Sequence, residues 1–163
     1  MIYPIIYILA LVTANLLVAF IGPWFSVINS FVLIGLDLTL RDKLHDEWNG
    51  NPIKIGALIA VAGVVSYLLN PASGQIAIAS VIAFTLSMMS DSFVYQKLKN
   101  KSWVKRTTGS NLAGAAVDSL VFPTIAFGVL MPEIVAMQFA SKVAGGFIWS
   151  KFIKAKFKEK NGA

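Results

Sequence analysis

Four ionisable side chains lie inside long apolar runs of a 163-residue chain that is only 13% charged: Asp37, Asp91, Asp118 and Lys142. A charge near the centre of a bilayer costs from about 3 to well above 10 kcal/mol. Such groups persist only where they pair, face a bundle interior, or meet water or substrate. Helical spacing groups them with further polar residues. Asp37 and Arg41 are i,i+4 and share a face, where they could form an ion pair. Asn111 and Asp118 are i,i+7, and Gln138 and Lys142 are i,i+4. Three helices thus each present a two-residue polar stripe, to which Asn15, Asn29 and Asp91 add further groups. At a rise of 1.5 Å per residue, Asp118 lies roughly ten residues from one membrane face and Lys142 roughly nine from the other. Both fall near the midplane, so a direct or water-mediated Asp118–Lys142 pair is expected. Asp37 and Asp91 fall nearer the cytoplasmic side.

Each of these residues also has a purely structural reading. Asp37–Arg41 would serve as a clasp at a helix end, and Asp91, in Ser90-Asp91-Ser92, as a bond between helices. Asn111, in Gly109-Ser110-Asn111, would belong to an N-terminal cap. Asp118 and Lys142, at mid-depth, fit a structural role least well. His45, beside Asp46 and Glu47, reads as a solvated loop residue. The small-residue runs 113–116 and 144–146 suit close helix packing, or leave room for a ligand. Trp24, Trp48, Trp103 and Trp149 sit at span ends as interfacial anchors.

Much other chemistry is excluded. The chain has no cysteine and one histidine, which removes disulfides, thiolate and multi-histidine metal sites, cysteine nucleophiles and zinc proteases. Serine hydrolysis within the membrane would need a histidine in a span. There is no G-x-x-x-x-G-K-[ST] phosphate loop, so the chain cannot by itself drive transport with ATP. A carboxylate-dependent lipid-headgroup transferase would cluster its aspartates at one helix end, whereas these are spread over three spans. A pore would not need a midplane lysine–carboxylate pair. No cofactor and no metal are expected.

The elements that must carry these residues follow from hydropathy. Hydrophobic residues make up 56% of the chain and mean hydropathy is +0.71, too apolar for a soluble domain of this size. Six runs of about 20 residues fit a bilayer core: 3–22, 24–44, 53–69, 75–98, 108–130 and 133–152. The first lacks a basic leader region and a cleavage site, and reads as a retained helix. Gly22-Pro23, the polar stretch 41–52, Asn70 to Gly74, the basic segment 97–106 and Met131-Pro132 separate them. The runs are apolar on all sides, unlike the alternating strands of a barrel. The expected fold is an all-α membrane protein, one six-helix transmembrane domain spanning 1–163.

Charge placement supports six. All of the 14 basic residues except Lys142 lie in the second and fourth connections and the C-terminal tail, on one face. The positive-inside rule then places both termini in the cytoplasm. Anionic lipid headgroups suffice to explain the basic excess, and no nucleic-acid partner is needed.

Three strings carry a family resemblance: Ala14-Asn15-Leu16-Leu17-Val18-Ala19 followed by Gly22-Pro23-Trp24 and Asn29; Gly35-Leu36-Asp37-Leu38-Thr39-Leu40-Arg41-Asp42; and Ser110-Asn111-Leu112-Ala113-Gly114-Ala115-Ala116-Val117-Asp118-Ser119. Together they resemble the vitamin uptake transporter family, whose members are queuosine precursor transporters. Lys142 matches a lysine in that family's last span. The sequence departs beyond it, with Ala144-Gly145-Gly146-Phe147 where relatives often carry an acidic D-T-P element. The resemblance implies a bundle similar to the substrate-binding subunits of energy-coupling factor transporters. It also implies uptake of a 7-deazaguanine, preQ0 or preQ1, across the inner membrane.

On that reading the candidate substrate-binding residues are Asp118, Lys142, Asn111, Asp91, Gln138, Asp37, Arg41 and Asn15. Asp118 or Asp91 would accept from the ring N–H and amino group, Asn111, Gln138 or Lys142 would serve the carbonyl, and Phe122, Phe127 or Phe139 would stack on the ring. The ionic side chains are expected to converge on a ligand-sized hollow opened alternately to each side. The partners are a deazapurine and membrane lipids, with a homo-oligomer left open. Two alternatives stand beside the carrier: a binding subunit that needs a separate ATPase module, and a membrane enzyme of lipid metabolism.

Overall fold

The computed structural model describes residues 2–49 and 51–161, with side chains described as far as residue 153. Lys154, Lys156, Lys158 and Lys160, which the charge argument counts on the basic face, lie outside the described side chains. Among the described residues every regular element is helical: α1 (Ile2–Ile21), α2 (Phe25–Asn29), a π-helical turn (Ser30–Ile34), α3 (Gly35–Glu47), α4 (Pro52–Leu69), a 3-10 turn (Pro71–Ser73), α5 (Gly74–Lys97), α6 (Trp103–Phe127) and α7 (Pro132–Asn161). Because α2, the π turn and α3 run on without a break in helical backbone, the chain forms six rods.

Four stretches are long and apolar enough to cross a membrane: Ile2–Ile21, Pro52–Leu69, Pro71–Lys97 and Trp103–Phe127. The other two rods hold Asp37, Arg41 and Asp42, and Glu133 and Lys142, whose charges lower their hydropathy.

Local chemistry sets the ends of the rods. Gly22 takes φ +100°, a left-handed conformation that breaks α1 from α2. Asn51 accepts from the Ile53 amide at 3.0 Å, with Pro52 as the first helical residue. Asn70 caps the turn before α5 by accepting from Ala72 at 3.1 Å. Gly128, at φ +71°, closes α6.

Helix ends differ from the sequence expectation at three main places: α7 continues to Asn161 where the sixth run was expected to end at 152, and the other two lie on α3 and α6. The stretch from Arg41, expected to be a polar connection, continues α3 as far as Glu47. The fifth run begins at Trp103 rather than 108. Polarity marks a connection only if the polar residues face water, and here Arg41 and Asp42 face other helices.

The rods close a ring: α1 packs on α4, α4 on α5, α5 on α6, α6 on α7, α7 on α3 and α3 back on α1. Between α3 and α7 the contact is backbone to backbone. A Cβ on Gly35 would stand 2.7 Å from the Gly145 carbonyl carbon, and one on Gly145 would collide with the Phe31 carbonyl. Thr39 Oγ1 lies 3.1 Å from the Gly146 carbonyl, and the Trp149 indole donates to Val32 O at 3.0 Å. The small residues 144–146 thus pack helices here.

Polarity is inverted relative to a water-soluble bundle. Ile5, Phe20, Ile53, Leu68, Ile78, Met89 and Phe93 are exposed, whereas Asp37, Arg41, Asp42, Asp91, Asp118 and Lys142 are each at most 2% exposed. That is the arrangement a hydrocarbon solvent selects. Leu11, Leu38, Leu44, Ile55, Ile59 and Phe84 fill the interior between the polar groups.

Candidate functional site

The buried polar residues form two layers. The first gathers around Lys142. Its ammonium lies 2.6 Å from Asp118 Oδ2 and donates to Gln138 Oε1 at 2.8 Å and Ser119 Oγ at 3.1 Å. The helical stripe read from Gln138 and Lys142 is therefore a formed contact, and the Asp118–Lys142 pair joins α6 to α7. The Gln138 amide donates in turn to Ser26 Oγ at 2.7 Å, and Ser26 donates to the Pro23 carbonyl. Asn29 donates to Ala14 O at 3.1 Å, and Asn15 to Ser66 Oγ at 3.1 Å. The Oδ1 atoms of Asp118 and Asn29 are buried with no partner, so acceptor capacity is left over. A hollow between these groups is lined by Asn15, Ser26, Asn29, Asp118, Gln138 and Lys142, with Phe122 on its wall.

That hollow holds about 20 Å³, room for about one water. It corrects the expected ligand-sized cavity, since small-molecule sites run to about 300 Å³ or more. The side chains converge, but the helices are closed upon them. Of the three aromatic candidates only Phe122 lines the hollow. Phe127 meets Phe122 edge-on with centroids 6.1 Å apart, and Phe139 lies along an outward groove with Ala116 and Pro132.

The second layer lies toward the end of the bundle that carries Glu47 and Trp103. Asp37 and Arg41, expected to pair, do not: Arg41 Nε lies 3.5 Å from Asp91 Oδ2 and its Nη2 donates to Ser87 Oγ at 3.3 Å. The shared face aims both side chains inward, but the long guanidinium reaches across to α5 and rests against Gly114, where a Cβ would stand 3.0 Å from Nη2. Asp37 is left with both carboxyl oxygens unpartnered. It stands between the layers, within electrostatic reach of Arg41, Asp91 and Asp118, and the Tyr7 hydroxyl faces it without completing a hydrogen bond. Asn111, a binding candidate whose structural alternative was an N-terminal cap, lies more than two turns inside α6. Its amide is buried against Gly146, with both polar atoms unpartnered.

Sequence reading missed several members of this layer. Asp42 accepts from Ser110 Oγ at 3.3 Å, and its carboxyl meets that of Asp91. His45, expected in solvent, is in the last turn of α3, buried edge-on to Tyr95 with centroids 5.3 Å apart. The Tyr95 hydroxyl donates to Asp46 Oδ2 at 2.7 Å, and Arg106 pairs with Asp46 at 3.4 Å while lying over the Tyr95 ring. Together these close that end of the bundle. The adjacency of Asp42 to Arg41 was the available signal. Ser26 and Ser87 carried none, because a small hydroxyl is common on either face of a helix.

Among the described residues, no group of three or more His, Cys, Asp or Glu side chains is placed to hold a metal ion. The architecture is that of a polar-cored helical membrane bundle. Residues 1–155 match the family model described as "putative vitamin uptake transporter". The chain belongs to the vitamin uptake transporter family. No curated protein and no solved structure matches it. Family membership makes this vitamin uptake transporter a multi-pass membrane protein of transporter type rather than an enzyme.

Proposed function

We propose that this vitamin uptake transporter is a six-span carrier, with both termini in the cytoplasm, that brings a 7-deazaguanine such as preQ0 or preQ1 across the inner membrane. The observation that carries the reading is the Asp118–Lys142 pair at 2.6 Å, held over a small hollow by Gln138 and flanked by unused acceptors on Asp118 and Asn29. A guanine-like edge offers adjacent N–H donors and a carbonyl. Asp118 would accept from the donors, Lys142 and Gln138 would donate to the carbonyl, and Phe122 would cover a ring face. Groups left unpaired in a dry pocket are costly, so bases lacking the matching edge would be refused.

Entry requires the helices to part, because the hollow as it stands admits about one water. Binding would substitute for the Lys142–Asp118 and Gln138–Ser26 contacts, so the same groups would hold the bundle shut when empty. The test is uptake of labelled preQ0 by cells unable to make it. Expression of this chain should restore uptake, and Asp118→Ala and Lys142→Ala should each abolish it. Normal uptake by both variants would remove the proposed site.

A further inference from the structure

The buried core holds more acid than base. Among the described residues, the buried Asp37, Asp42, Asp91 and Asp118 are matched by two buried bases, Arg41 and Lys142, and none of the six is more than 2% exposed. Were all ionised, two carboxylates would lie in a low-dielectric interior without a counter-charge, a cost of several kcal/mol each. Lys142 is committed to Asp118 and Arg41 to Asp91. The excess therefore falls on Asp37 and Asp42.

Asp42 differs from Asp37 in its contact with a second acid. Its carboxyl meets that of Asp91, and two ionised carboxylates cannot rest against each other in a dry site. One proton, shared across the Asp42–Asp91 contact, accounts for Asp42, and Asp37, the other excess carboxyl, holds a second proton of its own. Asp91 Oδ1 is buried and accepts no hydrogen bond from another group.

We propose that the Asp42–Asp91 pair is a proton-binding site and that its proton is the coupling ion for uptake. This rests on the carrier reading given above. The surroundings fit such a role. Arg41 lies beside Asp91 on the core side, while Asp37 and, from α1, Tyr7 stand between the pair and the Lys142 layer. On the inner side lie His45 and Asp46 of α3, Tyr95 of α5, and Arg106 and Ser110 of α6. His45 Nε2 is buried and unpartnered, which places a titratable nitrogen between the pair and the inner surface. A proton taken up with substrate from outside would leave toward the cytoplasm past His45 once the Tyr95–Asp46–Arg106 contacts part. The Lys142 layer would recognise the solute, and the Asp42–Asp91 layer would carry the energy.

The test has two arms on the purified full-length chain. Infrared spectra should show protonated-carboxyl absorption at neutral pH, and the component due to the pair should be lost in both Asp42→Asn and Asp91→Asn while that of Asp37 remains. Asparagine keeps the shape and a hydrogen-bonding side chain, and circular dichroism confirms that the variants fold. In reconstituted vesicles at clamped voltage, preQ0 accumulation should change tenfold per unit of inward pH gradient for one proton per solute. In Asp42→Asn the gradient should have no effect while preQ0 counterflow at equal pH continues. A band absent from the native chain, or unchanged in both variants, overturns the proton site. Brisk counterflow with accumulation blind to pH, or following sodium instead, overturns the coupling and leaves the carrier reading intact. Absence of preQ0 counterflow in the native chain defeats the substrate assignment, and the infrared arm then decides the proton site alone.

Discussion

Replacing Lys142 with Met removes the ammonium but keeps most of the side chain's length and volume. Asp118 then loses its 2.6 Å partner, and Gln138 Oε1 and Ser119 Oγ lose a donor. Breaking a buried ion pair by removing one member costs about 3–5 kcal/mol, because the remaining charge is buried and uncompensated. At roughly 2–4 °C per kcal/mol for a protein of this size, the thermal midpoint should fall by about 6–20 °C. Removing the second charge as well, in Asp118→Leu/Lys142→Met, takes away the stranded carboxylate. Apolar replacements of whole buried pairs are often neutral or stabilising by about 1–4 kcal/mol, so the double variant should melt near or above the native midpoint. Uptake of preQ0 should nonetheless be absent from both, since neither presents a carboxylate and an ammonium to the solute. Midpoints in detergent can be read from tryptophan fluorescence and uptake from labelled solute in cells. A double variant as unstable as the single one would show that the pair is not an isolated electrostatic unit, and a double variant that transports would refute its role in recognition.

Asn111→Ala deletes an amide that is buried with both polar atoms unpartnered; stability should hold or rise by about 1–3 kcal/mol, the cost of an unsatisfied buried group. Gly145→Ala should destabilise by about 1–3 kcal/mol or more, because its Cβ would strike the Phe31 carbonyl. Gly56→Ala, whose Cβ meets nothing, should instead stabilise the helix by about 0.5–1 kcal/mol; denaturation midpoints would check all three. Because the chain has no cysteine, single replacements report topology cleanly. Ala72→Cys should react with an impermeant thiol reagent from outside intact cells, and Lys101→Cys only after the membrane is opened; the reverse pattern would overturn the proposed orientation.

The helices were legible because each is a long apolar run closed by residues with strong local conformational preferences, such as Gly22, Asn51-Pro52 and Asn70-Pro71. The Asp118–Lys142 pair was legible from depth alone, since each residue sits near the middle of its run. His45 and Asp42 were misplaced for one reason. A stretch rich in charge reads as solvated, yet α3 turns those charges toward α5 and α6, where Tyr95 and Asp91 receive them.

The partner of Arg41 was out of reach for a related reason. Helical spacing says which residues share a face but not which helix stands opposite, and a guanidinium on a long stem can pass its i−4 neighbour to reach another rod. Chain order is no guide to that neighbour, since α1 packs on α4 and α3 on α7 rather than each only on its successor.

By itself, then, the order of residues determined that the chain is helical, apolar outside and ionic within, because hydropathy and backbone preference act over a few residues at a time. Only the closed ring of helices decided that Asp91 rather than Asp37 holds Arg41, and that Asp42 rests on Asp91. Those pairings depend on distances of a few ångströms between rods far apart in sequence, set by where glycines such as Gly35 and Gly145 let two backbones touch.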